Sequence, residues 1–337
     1  MKKVFVVGVI ILLGGFGFFK NIYADPHIGQ QNVRDNELPS WSDGNTRQRI
    51  LEFVHNAIME GNAGFIPEQD RIAVFDNDGT LWSEQPLYFQ FMFVLDRVKE
   101  LAPQHPDWKT KEPFKSVIAG DLKTALASGE KGLAAMLAAT SAGMTTDEYT
   151  QLVKTWIATA VHPVTKKHYN EMIFQPMLEL LQLLRTNGFQ TFIVSGGETD
   201  FMRAWATDAY GIPPQQIVGS TLKTKFEIVN GKPVIRRLPQ LNFVDDKAGK
   251  PVGIQQYIGK KPVFAAGNSD GDYEMLQWTS SNTLPHLGII VHHTDAQREF
   301  AYDRKSHIGQ LAKGLDSAAR YGWQLVDMKN DWKTIYP

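Results

Sequence analysis

Three short apolar runs, at 71–75, 190–194 and 262–266, each break off into a polar, glycine-bearing loop, and helical sequence fills much of the space between them. No other feature restricts the fold as strongly. A run of this length without polar alternation reads as a strand buried on both faces, and such strands alternating with helices build a mostly parallel sheet flanked by helices. The loops are Asp76-Asn77-Asp78-Gly79-Thr80, Ser195-Gly196-Gly197 and Gly267-Asn268-Ser269-Asp270-Gly271-Asp272. In open parallel sheets ligands bind beyond the carboxyl ends of the strands, so the three loops predict one shared site.

The other segments fit the same α/β plan. Ile50, Leu51, Val54 and Ile58 recur at helical spacing and predict an amphipathic helix over 46–60. Residues 83–187 read as almost entirely helical: an apolar-rich helix at 87–101, a capping-box pattern at 145–148 ahead of Tyr149, Val153 and Trp156, and a helix at 177–184 stopped by Asn187-Gly188. A helix is expected over 199–210, then a hairpin of 223–229 with 232–238 turned by Asn230-Gly231, and a last strand at 287–291 ending in His292-His293. The expected division is a core of 71–82 and 188–337, a helical cap of 83–187 inserted after the first strand, and an extension of 25–70 packed outside.

Met1-Lys2-Lys3, an apolar run over 4–19 with four glycines, and Ile22-Tyr23-Ala24 ahead of Asp25-Pro26 describe a secretory signal peptide of residues 1–24, and hence a periplasmic or secreted protein. An uncleaved membrane anchor is the alternative, although the run is shorter than the ~20 residues that span a bilayer. Removing Lys2, Lys3 and Lys20 lowers the formal charge of −1 by three, to −4. Neither value suits an electrostatic binder of nucleic acid. The chain has no Cys, which excludes a disulfide framework, a thiolate metal site and a cysteine nucleophile.

The loops carry recognisable chemistry. Asp76 and Asp78 can approach one reacting centre, and close carboxylates repel unless one holds a proton or a cation intervenes; an ionised nucleophile beside a protonated acid is the division this favours. Asn268, Asp270 and Asp272 add hard oxygens with no His or Cys nearby, which favours Mg²⁺ over zinc. Ser195 and the glycine N–H groups lead into a helix and form a cradle for phosphate oxygens. Lys250, at a helix start, would neutralise further charge, with Lys247 as the competing lysine.

Val74-Phe75-Asp76-Asn77-Asp78-Gly79-Thr80-Leu81 resembles the first signature of the haloacid dehalogenase superfamily, a strand followed by Asp-x-Asp-Gly-Thr. Phe192-Ile193-Val194-Ser195-Gly196-Gly197 is similar to the second, Lys250 to the third, and Gly267–Asp272 to the fourth, usually Gly-Asp-x-x-x-Asp. Order and spacing match over roughly residues 71–295, and the inserted helices resemble the cap of the phosphoserine phosphatase-like branch. The resemblance implies a Rossmann-like core and a Mg²⁺-dependent phosphatase acting on small phosphate monoesters. Asp76 would become an aspartyl phosphate, and Asp78 would protonate the departing alcohol and then activate water. Mg²⁺ would be held by Asp76, the Asp78 backbone carbonyl, Asn268 and, through water, Asp272. Thr80, Ser195, Gly196 and Lys250 would bind the phosphoryl group. Dehalogenases of the superfamily lack the second aspartate, so Asp78 favours phosphoryl transfer. Asn268 stands where an aspartate is usual, and weaker metal binding is expected unless Asp270 compensates. A phosphotransferase or mutase using the same intermediate is one alternative; an exported phosphoester-binding protein that has lost turnover is another.

Smaller features complete the expectations. Glu84 reads either as a reader of a substrate amino group or as an ordinary acid at a helix start. Asp270 caps the helix that follows it or faces the metal. Two adjacent histidines on a strand point to opposite faces, so one of His292 and His293 is expected to be buried and hydrogen-bonded. Lys223, Lys225, Lys232, Arg236 and Arg237 make the hairpin basic, most simply as a solvated face. The expected partner is a small phosphate monoester, without nucleic acid and without stable membrane association after signal cleavage.

Overall fold

Strand β1, Ile72–Phe75, is buried at all four positions because it lies in the interior of a seven-stranded sheet. This is seen in a computed structural model that describes residues 37–337; the signal peptide expected at 1–24 and the start of the extension lie outside the described residues. β1 pairs in parallel with β2, Gln190–Glu198, on one side and with β5, Phe264–Gly267, on the other. Beyond β2 come β3, Ile217–Val229, in parallel, and β4, Lys232–Phe243, antiparallel to β3. Beyond β5 come β6, Leu287–His292, and β7, Gln324–Asp327, both parallel. The order is therefore β4-β3-β2-β1-β5-β6-β7. The chain winds outward from β1 and then restarts on its other side at β5, so the strand order reverses at the β1/β5 boundary. That reversal opens a crevice at the carboxyl ends. Phe75 lies level with Ile193 and Ala266, so the three polar segments leave the sheet at nearly one height.

The Asn230-Gly231 turn forms with positive φ at both residues (50° and 76°), the geometry that matches strand twist in a two-residue hairpin. The expected sheet lacks β7; only one of its four residues is buried, and so short an edge strand has no alternation to detect. The helix expected over 199–210 is two, Thr199–Arg203 and Ala206–Tyr210, interrupted at Trp205, whose ring stacks on Trp82 at 4.1 Å.

The predicted N-terminal helix runs Asn45–Ile58 and buries Ile50, Leu51, Val54 and Ala57. Ahead of it Trp41 is fully buried, edge-on to Trp332 at 5.8 Å, with its indole N–H donating to the Pro176 carbonyl at 2.9 Å. This part of the extension, expected outside, contributes to the principal hydrophobic core. Among the described residues no helix is long and apolar enough to cross a membrane.

Helices Phe89–Leu101, Phe114–Ala119, Leu122–Ala127, Gly129–Ser141 and Thr146–Thr159 follow β1. The capping box forms: Glu148 N–H donates to Thr145 Oγ1 at 3.1 Å and Thr145 N–H to Glu148 Oε2 at 2.7 Å. The inserted helices are fastened to the hairpin by Gly143 N–H to the Arg237 carbonyl and Arg237 N–H to the Met144 carbonyl, both 2.9 Å. A last helix, Gln175–Thr186, packs against β2 and buries Met177, Leu180, Leu181 and Leu184.

Candidate active site

The first loop turns tightly because the Asn77 carbonyl accepts the N–H groups of Thr80 at 3.1 Å and Leu81 at 2.8 Å. Gly79 takes φ +73°, and a Cβ there would lie 2.0 Å from Asn268 Nδ2, so the turn and the close approach both require glycine. Distant elements brace the loop. The Tyr210 hydroxyl donates to Asn77 Oδ1 at 3.0 Å, and His293 Nε2 donates to the Gly79 carbonyl at 2.7 Å while its Nδ1 faces Glu299 Oε2 at 3.0 Å. A carbonyl only accepts, so Nε2 carries the hydrogen. Trp82 Nε1 donates to Asp78 Oδ1 at 2.8 Å.

Lys250, fully buried in the short helix Gly249–Gly253, joins the three strand ends. Its ammonium donates to Asp76 Oδ1 at 2.7 Å, to Asp272 Oδ1 at 2.6 Å and to the Val194 carbonyl at 2.9 Å. Lys247, the competing lysine, has a side chain 65 % exposed and 3.9 Å from Asp246. Asp272 Oδ2 accepts the backbone N–H groups of Asn268 at 2.9 Å and Ser269 at 3.0 Å, which shapes the third loop.

Ser195 is buried and its Oγ accepts the Gly197 N–H at 3.1 Å, while Gly196 is exposed. The segment expected as a loop here is a continuation of β2 with a bulge between Ser195 and Glu198. Thr80, assigned from sequence to the phosphate, has its hydroxyl on Asn268 Oδ1 at 3.2 Å. Asp270 does not cap the helix after it. It accepts the N–H groups of Ala312 and Gly314 at 3.0 Å, at the start of the later helix Lys313–Tyr321. Glu84 is buried, and its Oε1 accepts Asn268 Nδ2 and the Tyr302 hydroxyl, each at 2.7 Å.

Burial pushes the Asp76 carboxyl up to about 8, with the Asp272 charge adding and Lys250 opposing. Burial pushes Asp78 up to about 6 against the hydrogen bond from Trp82, and it raises Glu84 well above its usual range. For Lys250, burial disfavours the ammonium, but Asp272 and Asp76 prevail and hold it above its usual value. Asp76 and Asp272 thus share one ammonium, with Asp78 and Glu84 adding acidic charge close by, and the four cannot all ionise without more positive charge. The donors present, carboxylate, amide and backbone carbonyl oxygens, suit a hard divalent cation. Among the described residues no three His, Cys, Asp or Glu side chains form a metal cluster by themselves.

One of the two histidines is buried, as expected: His293, just past the end of β6, lies against Gly79 and Glu299, whereas His292 is partly exposed, 3.5 Å from Asp303. The basic hairpin is not uniformly a solvated face. Arg236 pairs with Glu227, but Arg237 is fully buried between Glu198 and Asp200, its guanidinium 3.7 Å from the Tyr149 ring. Trp82, Tyr210, Glu299 and Tyr302 carried no site signal in the sequence. They act on the loops through contacts made only in the folded chain.

The model of the haloacid dehalogenase-like hydrolase family matches residues 73–277, more than half of the 337-residue chain. The chain belongs to that family. Among solved structures it is similar to a conserved protein of unknown function from Anaerococcus prevotii, at 17 % identity over 83 % of this chain and 91 % of that one, with a TM-score of 0.49. It is also similar to a protein of unknown function from Bordetella pertussis (16 % identity, 77 % and 98 % coverage, TM-score 0.47) and to a probable phosphoserine phosphatase from Vibrio cholerae (18 %, 74 % and 65 %, 0.36). No curated protein matches the chain.

Proposed function

We propose that this hydrolase is a phosphatase of the phosphoserine phosphatase-like branch that removes phosphate from small monoesters through a covalent intermediate on Asp76. The observation that carries the reading is the meeting of Asp76, Lys250 and Asp272 at the carboxyl ends of the strands, with Asp78 in their electrostatic reach and Lys250 also bonded to the Val194 carbonyl just ahead of Ser195. The insertion of helices between β1 and β2 supports the branch.

Asp76, Asn268 and the Asp78 backbone carbonyl would hold Mg²⁺, with Asp272 behind them. When bound, the ion supplies positive charge that offsets the charge on the phosphoryl oxygens and favours the ionised form of Asp76. A carboxylate oxygen of Asp76 forms the new bond to phosphorus as the ester P–O bond breaks. Asp78, whose raised pKa lets it hold a proton near neutrality, gives that proton to the departing alcohol oxygen. Asp78 then takes a proton from water, the water oxygen bonds to phosphorus, and the bond to Asp76 breaks to release inorganic phosphate. Lys250 keeps Asp76 in place throughout, and the Ser195–Gly197 segment would receive the phosphoryl oxygens.

The test is release of phosphate from a generic aryl phosphate by the purified chain with Mg²⁺. Release should be lost in Asp76→Asn; its absence in the unaltered protein would favour a binding role, and phosphorylated products on added alcohols would indicate transfer. Export belongs to the same proposal: N-terminal sequencing of extracytoplasmic protein should begin at Asp25.

A further inference from the structure

The site departs from the family pattern at Asn268, and the structure shows what accompanies the departure. Asn268 is buried, and so is Glu84, from a different segment, whose carboxylate takes the Asn268 Nδ2 hydrogen at 2.7 Å. The contact is enclosed. A Cβ on Gly79 would lie 2.5 Å from Glu84 Oε1, and one on Gly309 would lie 1.9 Å from it, so two glycines at positive φ leave the space the carboxylate occupies. Tyr302 supplies the second donor to the same oxygen.

These contacts orient the amide. Glu84 Oε1 accepts from both the Tyr302 hydroxyl and the NH₂ end of Asn268, so Asn268 Oδ1 is turned toward the Thr80 hydroxyl at 3.2 Å. An aspartate at 268 in the same rotamer would set a second acidic oxygen 2.7 Å from Glu84, a contact in which one of the two must hold a proton. Asp270, the other acid able to compensate, is committed to the helix start at Ala312 and Gly314.

We propose that Glu84 and Asn268 form an exchanged pair: once a cation is bound, the negative charge usual at position 268 is carried by Glu84 and reaches the cation through the Asn268 amide, whose oxygen Glu84 aims and polarises. Glu84 is on this account a positioning residue. The inference rests on the phosphatase reading, because it presumes a cation at Asp76 and Asn268. Groups that hydrogen-bond a metal ligand typically change metal affinity 10–100-fold when removed.

The experiment measures Mg²⁺ affinity by calorimetry without substrate, on the full chain and three variants. Glu84→Gln should weaken binding about 10–100-fold. Asn268→Asp in the presence of Glu84 should bind no more tightly than the unaltered protein, despite its extra carboxylate. Glu84→Gln with Asn268→Asp should recover at least tenfold over Glu84→Gln alone, since the amide introduced at position 84 can donate to the carboxylate introduced at position 268. Equal affinity of Glu84→Gln and the unaltered protein, or the same effect of Asn268→Asp in both backgrounds, would overturn the proposal. Should Glu84→Gln not fold, Asn268→Asp decides alone, and a tenfold gain in affinity refutes. If the unaltered protein neither binds Mg²⁺ nor releases phosphate, the phosphatase reading itself has failed; if it does both while the variants show no coupling, only the exchanged pair has.

Discussion

Replacing Arg237 with Met removes a fully buried cation from between Glu198 and Asp200 while keeping most of the apolar stem. The loss falls mainly on Glu198, whose side chain is 3 % exposed, because Asp200 at 25 % can regain water. Stripping one partner from a buried ion pair costs about 3–5 kcal/mol. Losing the cation over the Tyr149 ring adds about 1–2 kcal/mol. Against this, Arg237 Nε has no partner of its own, and shedding that buried donor returns about 1–3 kcal/mol. The net expectation is a destabilisation of about 3–4 kcal/mol near neutral pH. Burial already raises Glu198 above its usual value with Arg237 beside it, and removing the guanidinium raises it further. A carboxyl whose folded-state pKa exceeds its unfolded value loses stability as pH rises and regains it as pH falls, so the variant's deficit should shrink in acid. Urea unfolding followed by tryptophan fluorescence should show the full deficit at about pH 8 and at least ~1 kcal/mol less at about pH 5. Deficits equal at the two pH values, or below ~1 kcal/mol at both, would refute the assignment of a buried, charge-dependent clamp. Because Glu198 ends the Ser195–Gly197 segment and its N–H donates to Gln90 of the inserted helices at 2.8 Å, KM should also rise.

Other measurements reach the site itself. Asp76 is raised to about 8 and Asp78 to about 6, and on Asp76, the side chain that would meet the cation, the metal-free protein holds a proton that binding must displace. Mg²⁺ titrations near pH 7 in buffers of different ionisation enthalpy should therefore report proton release, with affinity rising between about pH 6 and 8; heats independent of buffer would contradict this. The same two raised groups make the metal-free chain lose stability as pH rises from about 4 toward 8, a slope that thermal melts should show reduced by Mg²⁺. Gly79→Ala places a Cβ 2.0 Å from Asn268 Nδ2 at a φ of +73°, so Asn268 must move. Turnover should drop on the order of 100-fold and stability by about 1–2 kcal/mol, and a variant with unchanged kinetics would show that the close approach does not position the site.

Much of the candidate site was open to reading before folding, for a physical reason. A central parallel strand is buried on both faces and so appears as an uninterrupted apolar run, and the loop at its carboxyl end must hold glycine and oxygen-bearing side chains in consecutive positions. Asp76, Asp78, Ser195 and Asp272 were legible because local chemistry places them at strand ends. The N-terminal helix and the capping box at Thr145 follow from the same kind of short-range rule.

What the chain order alone left open are interactions between segments far apart in it. Lys250 rather than Lys247 was decided by which ammonium could be buried among Asp76, Asp272 and the Val194 carbonyl. Asp270 was taken by a helix start more than forty residues later, because an orphan pair of N–H groups there needed an acceptor. Arg237 went inside a hairpin that otherwise reads as solvated, because Glu198 and Asp200 lay opposite it. The partnership of Glu84 with Asn268 spans 184 positions and leaves no periodicity or spacing behind. Backbone propensity and burial act over a few residues and are written locally; the pairing of buried charge depends on which groups share a low-dielectric space, and only the closed fold sets that.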